Sequence, residues 1–168
     1  LNIQLVPLDK SHSNDVIAIF NYYIENSTAA FRDQPVGSEH FDSFAGGDSI
    51  IKSYAATTDN GIVAGFCTLE AFAGPRTFRH TAELLYFIKR GYTGAGIGSK
   101  MLEKLEYEAN AAGIGLLTAT IADDNMTSIE FHKQHGFSEY GHLCGCWEKF
   151  NRKLGIIYMQ KKIQQVPI

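Results

Sequence analysis

Tryptophan occurs once in these 168 residues, cysteine and methionine three times each, and proline four times. Each scarcity excludes something. Three cysteines, Cys67, Cys144 and Cys146, do not make the disulfide framework of a small secreted domain. The run His142-Leu143-Cys144-Gly145-Cys146 supplies soft ligands from one short loop with no second ligand pair nearby, so no metal is expected. No apolar run approaches the roughly 18 residues of a spanning helix. The N-terminal residues show neither a basic n-region nor a cleavage site, so no membrane partner and a cytoplasmic location are expected. Lysine and arginine form no long run, and the net charge is −3, which argues against nucleic acid as a partner. No linker rich in Pro, Gly or Ser divides the chain, and residues 1–168 read as one domain with a sizeable core.

Glycine, by contrast, is concentrated where it is chemically informative. Tyr92-Thr93-Gly94-Ala95-Gly96-Ile97-Gly98-Ser99 follows the apolar run Leu84-Leu85-Tyr86-Phe87-Ile88 and leads into an amphipathic helix pattern. Residues without a Cβ let backbone approach a ligand, and the free N–H groups of a first helical turn favour a diphosphate. A Walker loop needs Lys-Ser/Thr directly after its last glycine, whereas Ser99-Lys100 has the reverse order. A dinucleotide fold needs its glycine loop after the first strand and an acidic residue about 20 positions on. This turn lies beyond mid-chain, and the first acidic residue of the following strand pattern is Asp123.

The rest of the chain reads as alternating short elements. A first strand spans Ile3 to Leu8, and a helix opening at Asp15 repeats Val16, Ile19, Phe20, Tyr23 and Ile24. A weak second helix carries Phe41 and Phe44. Asp59-Asn60-Gly61 joins two antiparallel strands, and a long strand runs from Arg79 to Lys89. The helix after the glycine turn buries Ile97, Met101, Leu102, Leu105 and Ala109, with Glu103, Glu106 and Glu108 on a solvated face. A fifth strand, Gly115 to Ile121, leads to Asn125, a suitable cap for a helix from Met126 to His135. A short strand near Phe137 to Tyr140 and a last one, Ile156 to Lys161, complete an open mixed α/β sheet.

This order, with Thr93-Gly94-Ala95-Gly96-Ile97-Gly98 after the fourth strand and Asn125-Met126-Thr127-Ser128-Ile129-Glu130-Phe131-His132 after the fifth, resembles the GNAT acyltransferase superfamily. Ile19-Phe20-Asn21, Asn26 to Phe31, Phe78-Arg79-His80-Thr81-Ala82-Glu83, Phe131-His132 and Lys149-Phe150 are similar to the phosphinothricin N-acetyltransferase group. The resemblance implies a mostly antiparallel sheet flanked by helices, with a splayed pair of central strands. It implies acetyl-CoA as cosubstrate, the α-amino group of a small amino-acid-like acceptor of the phosphinothricin or methionine sulfoximine type, and a homodimer to which Cys144–Arg152 contributes. The turn Gly94 to Ser99 would hold the diphosphate, and Asn125 and Ser128 would lie at the pantetheine arm. Glu83 would be the base that frees the amine, since an ammonium cannot attack a thioester. A backbone N–H at Tyr86, Phe87 or Ile88 would meet the oxyanion if the strand splays. His132 would protonate the departing thiolate.

Departures from the group's pattern surround the acceptor more than the cofactor. Thr93 stands where Arg or Gln is usual, with Lys89, Arg90 and Lys100 as other sources of positive charge. Arg76 is the candidate clamp for an acidic group on the acceptor, displaced by about one position from the group's basic residue. Phe78 replaces a tyrosine, and Phe31 matches a pocket aromatic. The group's C-terminal motif lacks its tryptophan and aspartate in Lys149-Phe150-Asn151-Arg152-Lys153. Without the resemblance, Glu83 reads equally well as an exposed strand carboxylate, and His132 and Phe31 as core residues. Acetylation of another small amine or a protein N-terminus, and a non-catalytic coenzyme A binder, are the competing readings.

Overall fold

The computed structural model describes residues 2–163. Seven strands form one sheet in the order β1-β2-β3-β4-β5-β7-β6. They are β1 (Ile3–Pro7), β2 (Ile50–Thr58), β3 (Val63–Ala71), β4 (Thr81–Ile88), β5 (Leu116–Ala122), β6 (Ser138–Lys149) and β7 (Arg152–Lys162). Four helices accompany them: α1 (Ser13–Asn26), α2 (Asp42–Ala45), α3 (Ile97–Ala111) and α4 (Met126–Gln134). Every neighbouring pair is antiparallel except β4 and β5. Among the described residues no helix is long and apolar enough to cross a membrane.

Alternation along the strands divides the core in two. Cys67, Leu69, Leu84, Leu117, Ala119 and Met159 face α3 and α4, where Met101, Leu102 and Leu105 pack on them. Phe66 and Phe87 point the other way, onto Val16, Ile19 and Phe20 of α1 and Phe44 of α2. At full burial Cys67 has its thiol pushed up to about 12 by desolvation, so it is an inert core side chain.

Two expectations need correction. The strand expected at Phe137 to Tyr140 is β6, which continues to Lys149 and includes the cysteine run taken for a loop. It is an edge strand exposed at most positions, its register slips between Leu143 and Trp147, and Gly145 has φ 60°. Such a strand has no apolar alternation to display. The acidic face of α3 is not simply solvated either. Glu108 accepts from Tyr54 Oη at 2.7 Å and from Lys104 Nζ at 2.6 Å, and Glu106 accepts from Lys161 Nζ at 2.5 Å.

Candidate active site

The site begins where the sheet opens. β4 and β5 pair only at Thr81 with Leu116, Ala82 with Leu117 and Glu83 with Thr118. Beyond Glu83, β4 stays with β3 as far as Ile88, while β5 stays with β7 as far as Ala122. The two halves of the sheet diverge, and the inner edges of both strands lose their ladder. Lys89 N–H donates to the Ala64 carbonyl of β3. Successive strand residues turn their peptide groups to opposite edges. Phe87 therefore also faces β3, whereas the Tyr86 and Ile88 N–H groups face the opening. Phe87 is corrected accordingly: its backbone belongs to the β3 ladder, and its ring packs on Phe20 and Tyr23. The Ile88 carbonyl is already taken by the Tyr23 hydroxyl at 2.6 Å.

Glu83 is the last residue of β4 paired with β5, so its carboxylate stands at the fork. The Thr120 hydroxyl donates to Glu83 Oε1 at 2.6 Å and fixes its rotamer. Directly opposite in β3 is Glu70, whose Oε1 accepts from the Thr68 hydroxyl at 2.7 Å. Among the described residues neither carboxylate has a salt-bridge partner. Burial, followed by the charge of Glu83, holds the Glu70 carboxyl above the usual range, against the pull of the Thr68 hydroxyl. A raised folded-state pKa means that ionising Glu70 costs stability as pH rises past its unfolded value of about 4.3. The variant E70Q is expected to be more stable at pH 7 by about 0.5 kcal/mol, with no gain below about pH 4. Urea titrations at the two pH values test this.

The glycine turn has the geometry of an anion cradle. Gly94 and Gly96 both have φ 77°, and a Cβ at either would meet no atom within 4 Å. Gly96 caps α3 without a side-chain hydrogen bond, and the helical ladder starts with Lys100 N–H donating to the Gly96 carbonyl. The N–H groups of Ile97, Gly98 and Ser99 thus precede that ladder and have no partner within the helix. Ala95 lies between the two left-handed glycines. Gly98 serves packing, since its missing Cβ would stand 3.4 Å from the Phe131 ring of α4. Ser99 Oγ donates to His135 Nε2 at 3.0 Å, because His135 Nδ1 already donates to the Phe131 carbonyl. Lys100 turns away and donates to the Ile3 carbonyl, and Arg90 lies over the Tyr22 ring. A diphosphate fits this cradle through backbone donors and the dipole of a 15-residue helix.

On the far side of the opening, Asn125 caps α4 by accepting from Ser128 N–H at 3.2 Å, which leaves its Nδ2 group to donate. His132 is 3 % exposed. Its Nδ1 lies 2.7 Å from the Ser128 carbonyl, which can only accept, so the ring proton sits there. Nε2 then accepts from the Tyr86 hydroxyl at 2.5 Å. Both nitrogens are occupied, and burial lowers the His132 pKa while raising that of Tyr86. His132 is therefore a buried histidine whose ring orients the Tyr86 hydroxyl. A depressed folded pKa makes this contribution complete above the unfolded value of about 6.5 and lost as pH falls below it. The melting temperature is expected to fall between about pH 6.5 and 5. The slope should shrink in H132Q, leaving the share of His40, which burial also lowers.

The acceptor candidates do not converge. Phe31 is 42 % exposed and meets Trp147 edge-on, with ring centroids 5.0 Å apart. Arg76 and Phe78 lie in a one-turn helix of the exposed β3–β4 connection, where Phe78 packs on Phe72 at 6.0 Å. Among the described residues Arg76 makes no side-chain hydrogen bond or salt bridge. Thr120 and Glu70 went unnoticed in the sequence. Counting two residues at a time along β5 would have placed Thr118 and Thr120 on one face, but only strand pairing identifies Glu83 as their neighbour.

A family model described as "Acetyltransferase (GNAT) family" matches residues 16–137. An L-methionine sulfoximine/L-methionine sulfone acetyltransferase of Pseudomonas aeruginosa is 30% identical over 151 residues, covering 86% of this chain and 86% of the relative. A phosphinothricin N-acetyltransferase of Streptomyces viridochromogenes is 27% identical over 146 residues, 84% of this chain and 77% of its own length. The crystal structure of a GNAT superfamily phosphinothricin acetyltransferase from Sinorhizobium meliloti in complex with AcCoA has a TM-score of 0.89. It is 22% identical, and the match covers 97% of this chain and 89% of that one, a likeness of fold.

Proposed function

The chain belongs to the GNAT acetyltransferase family, and from that premise we propose that it moves the acetyl group of acetyl-CoA onto the α-amino group of a small amino-acid-like acceptor. The acceptor class is that of methionine sulfoximine and phosphinothricin. One observation carries the reading: the β4–β5 fork brings a fixed carboxylate, unpaired strand N–H groups and an open helix N-terminus to one opening. Acetyl-CoA supplies the thioester. Gly94, Gly96 and the first turn of α3 receive its diphosphate, and Asn125 Nδ2 and the inner edge of β4 receive its arm.

Glu83 takes one proton from the acceptor ammonium, which frees the nitrogen lone pair to attack the thioester carbon. The charge that develops on the carbonyl oxygen is met by Tyr86 or Ile88 N–H, held in place before the reaction. As the C–N bond forms and the C–S bond breaks, a second proton leaves the nitrogen and the thiolate gains one, so one proton is released overall. We assign the anionic group of the acceptor to Arg76, on the exposed β3–β4 connection, because a guanidinium pairs with such groups. We further infer a homodimer formed through the β6 edge, where Tyr140, Leu143 and Phe150 are exposed.

The opposing carboxylates Glu70 and Glu83 favour a second reading, in which the acceptor is a cationic amine such as a polyamine. Thiol release from acetyl-CoA distinguishes the two, using methionine sulfoximine, phosphinothricin, free amino acids, a polyamine and an aminoglycoside as acceptors. Turnover confined to the sulfoximine, phosphinothricin and amino acids supports the first reading. Turnover confined to the polyamine or aminoglycoside overturns it in favour of the second.

A further inference from the structure

One lysine side chain with no part in the proposed chemistry is buried. Lys149, at the end of β6, is 5 % exposed, and its ammonium donates to the carbonyls of Ser27 at 2.7 Å and Ala30 at 2.8 Å. Desolvation holds its pKa below the ordinary lysine range, with Asp33 as the opposing influence. Burying a charge is unfavourable unless it is well hydrogen-bonded, so this arrangement has to be offset by what it holds. What it holds is the segment after α1, residues 27–36, which has no helix or strand of its own. That segment is attached at three further points. The Thr28 hydroxyl donates to Asp124 Oδ1 at 2.6 Å, at the end of β5 beside the α4 cap. Phe31 rests on Trp147. Asn21 brackets Val36, accepting from its N–H at 2.8 Å and donating to its carbonyl at 2.9 Å. Tyr23, one turn before the segment, reaches the Ile88 carbonyl on the opened edge of β4. The segment therefore crosses from the α1 face, which Glu83 shares with Phe87, to the β6–β7 hairpin, beside the mouth of the fork.

We propose that Lys149 is a positioning residue that clamps residues 27–36 in place as the acceptor-side wall of the active site, so that its loss weakens the hold on the acceptor and spares that on acetyl-CoA. The proposal rests on the reading of the fork as an acetyltransferase site. Two variants and two measurements test it: K149M, which removes both hydrogen bonds, and T28V, which cuts a surface attachment of the same segment without touching the core. With acetyl-CoA and L-methionine sulfoximine, K149M is expected to raise the acceptor KM at least tenfold and T28V about threefold, each leaving the acetyl-CoA KM within twofold. Amide hydrogen exchange should quicken over residues 27–36 in K149M and stay unchanged in α3 and β4. Unchanged acceptor KM in both variants overturns the proposal, and so does faster exchange spread evenly over the chain. If K149M does not fold, T28V and the conservative K149Q, which keeps one donor group for a carbonyl, decide by the same KM criterion. Wild type that turns over no acceptor counts against the acetyltransferase reading. In that event the exchange pattern alone decides whether Lys149 clamps the segment.

Discussion

E83Q is expected to lower kcat for acetyl transfer by about 10²- to 10⁴-fold, the range set by removing a positioned general base. Gln has the shape of Glu, and its amide oxygen accepts from the Thr120 hydroxyl as Glu83 Oε1 does at 2.6 Å. Fold and side-chain placement are therefore retained, and what disappears is the ability to take a proton from the acceptor ammonium. The deficit should narrow as pH rises and more of the acceptor is already free amine, a trend that damage to the structure would not produce. Thiol release at saturating acetyl-CoA across the pH range measures both effects. A kcat within threefold of wild type would remove Glu83 from the mechanism.

G96D is expected to raise the acetyl-CoA KM about 30- to 150-fold, equivalent to about 2–3 kcal/mol of charge-assisted hydrogen bonding exchanged for repulsion. The φ of 77° at Gly96 is the left-handed region, which Asp tolerates better than most residues, and no atom lies within 4 Å of the new Cβ. Steric damage is thus small, and a carboxylate at an N-cap is ordinarily favourable for the helix. The variant should fold with α3 intact or firmer, yet place negative charge where a diphosphate would bind. Calorimetric titration with coenzyme A alongside a thermal melt separates the two consequences. Unchanged affinity with an unchanged melt would mean that the diphosphate sits elsewhere.

Much of this architecture was legible in the chain because its causes are local. Asn60-Gly61 marked the β2–β3 hairpin, Asn125 marked the start of α4, and the spacing of Ile97, Met101, Leu102 and Leu105 marked the buried stripe of α3. β6 was legible only in its first residues. An edge strand open to solvent on both faces and interrupted by a bulge is under no pressure to alternate. Glu83 could be singled out by resemblance, but its holder Thr120 could not, since the two are 37 residues apart and meet only across the last parallel pairs.

By itself the sequence determined the order of elements, the glycine turn and the helix it starts, because dihedral freedom, capping and amphipathic spacing act over a few neighbouring residues. Only the tertiary structure decided what those elements enclose. It decided that β4 and β5 part after Glu83, leaving Tyr86 and Ile88 N–H free and Phe87 paired. It also decided that His132 is a buried partner of Tyr86, and that Lys149 reaches back 122 residues to Ser27. The physical reason is common to all three. Strand partnership, burial and the hydrogen bonds of buried polar groups depend on which distant segments become neighbours, and no local property of the chain encodes that neighbour.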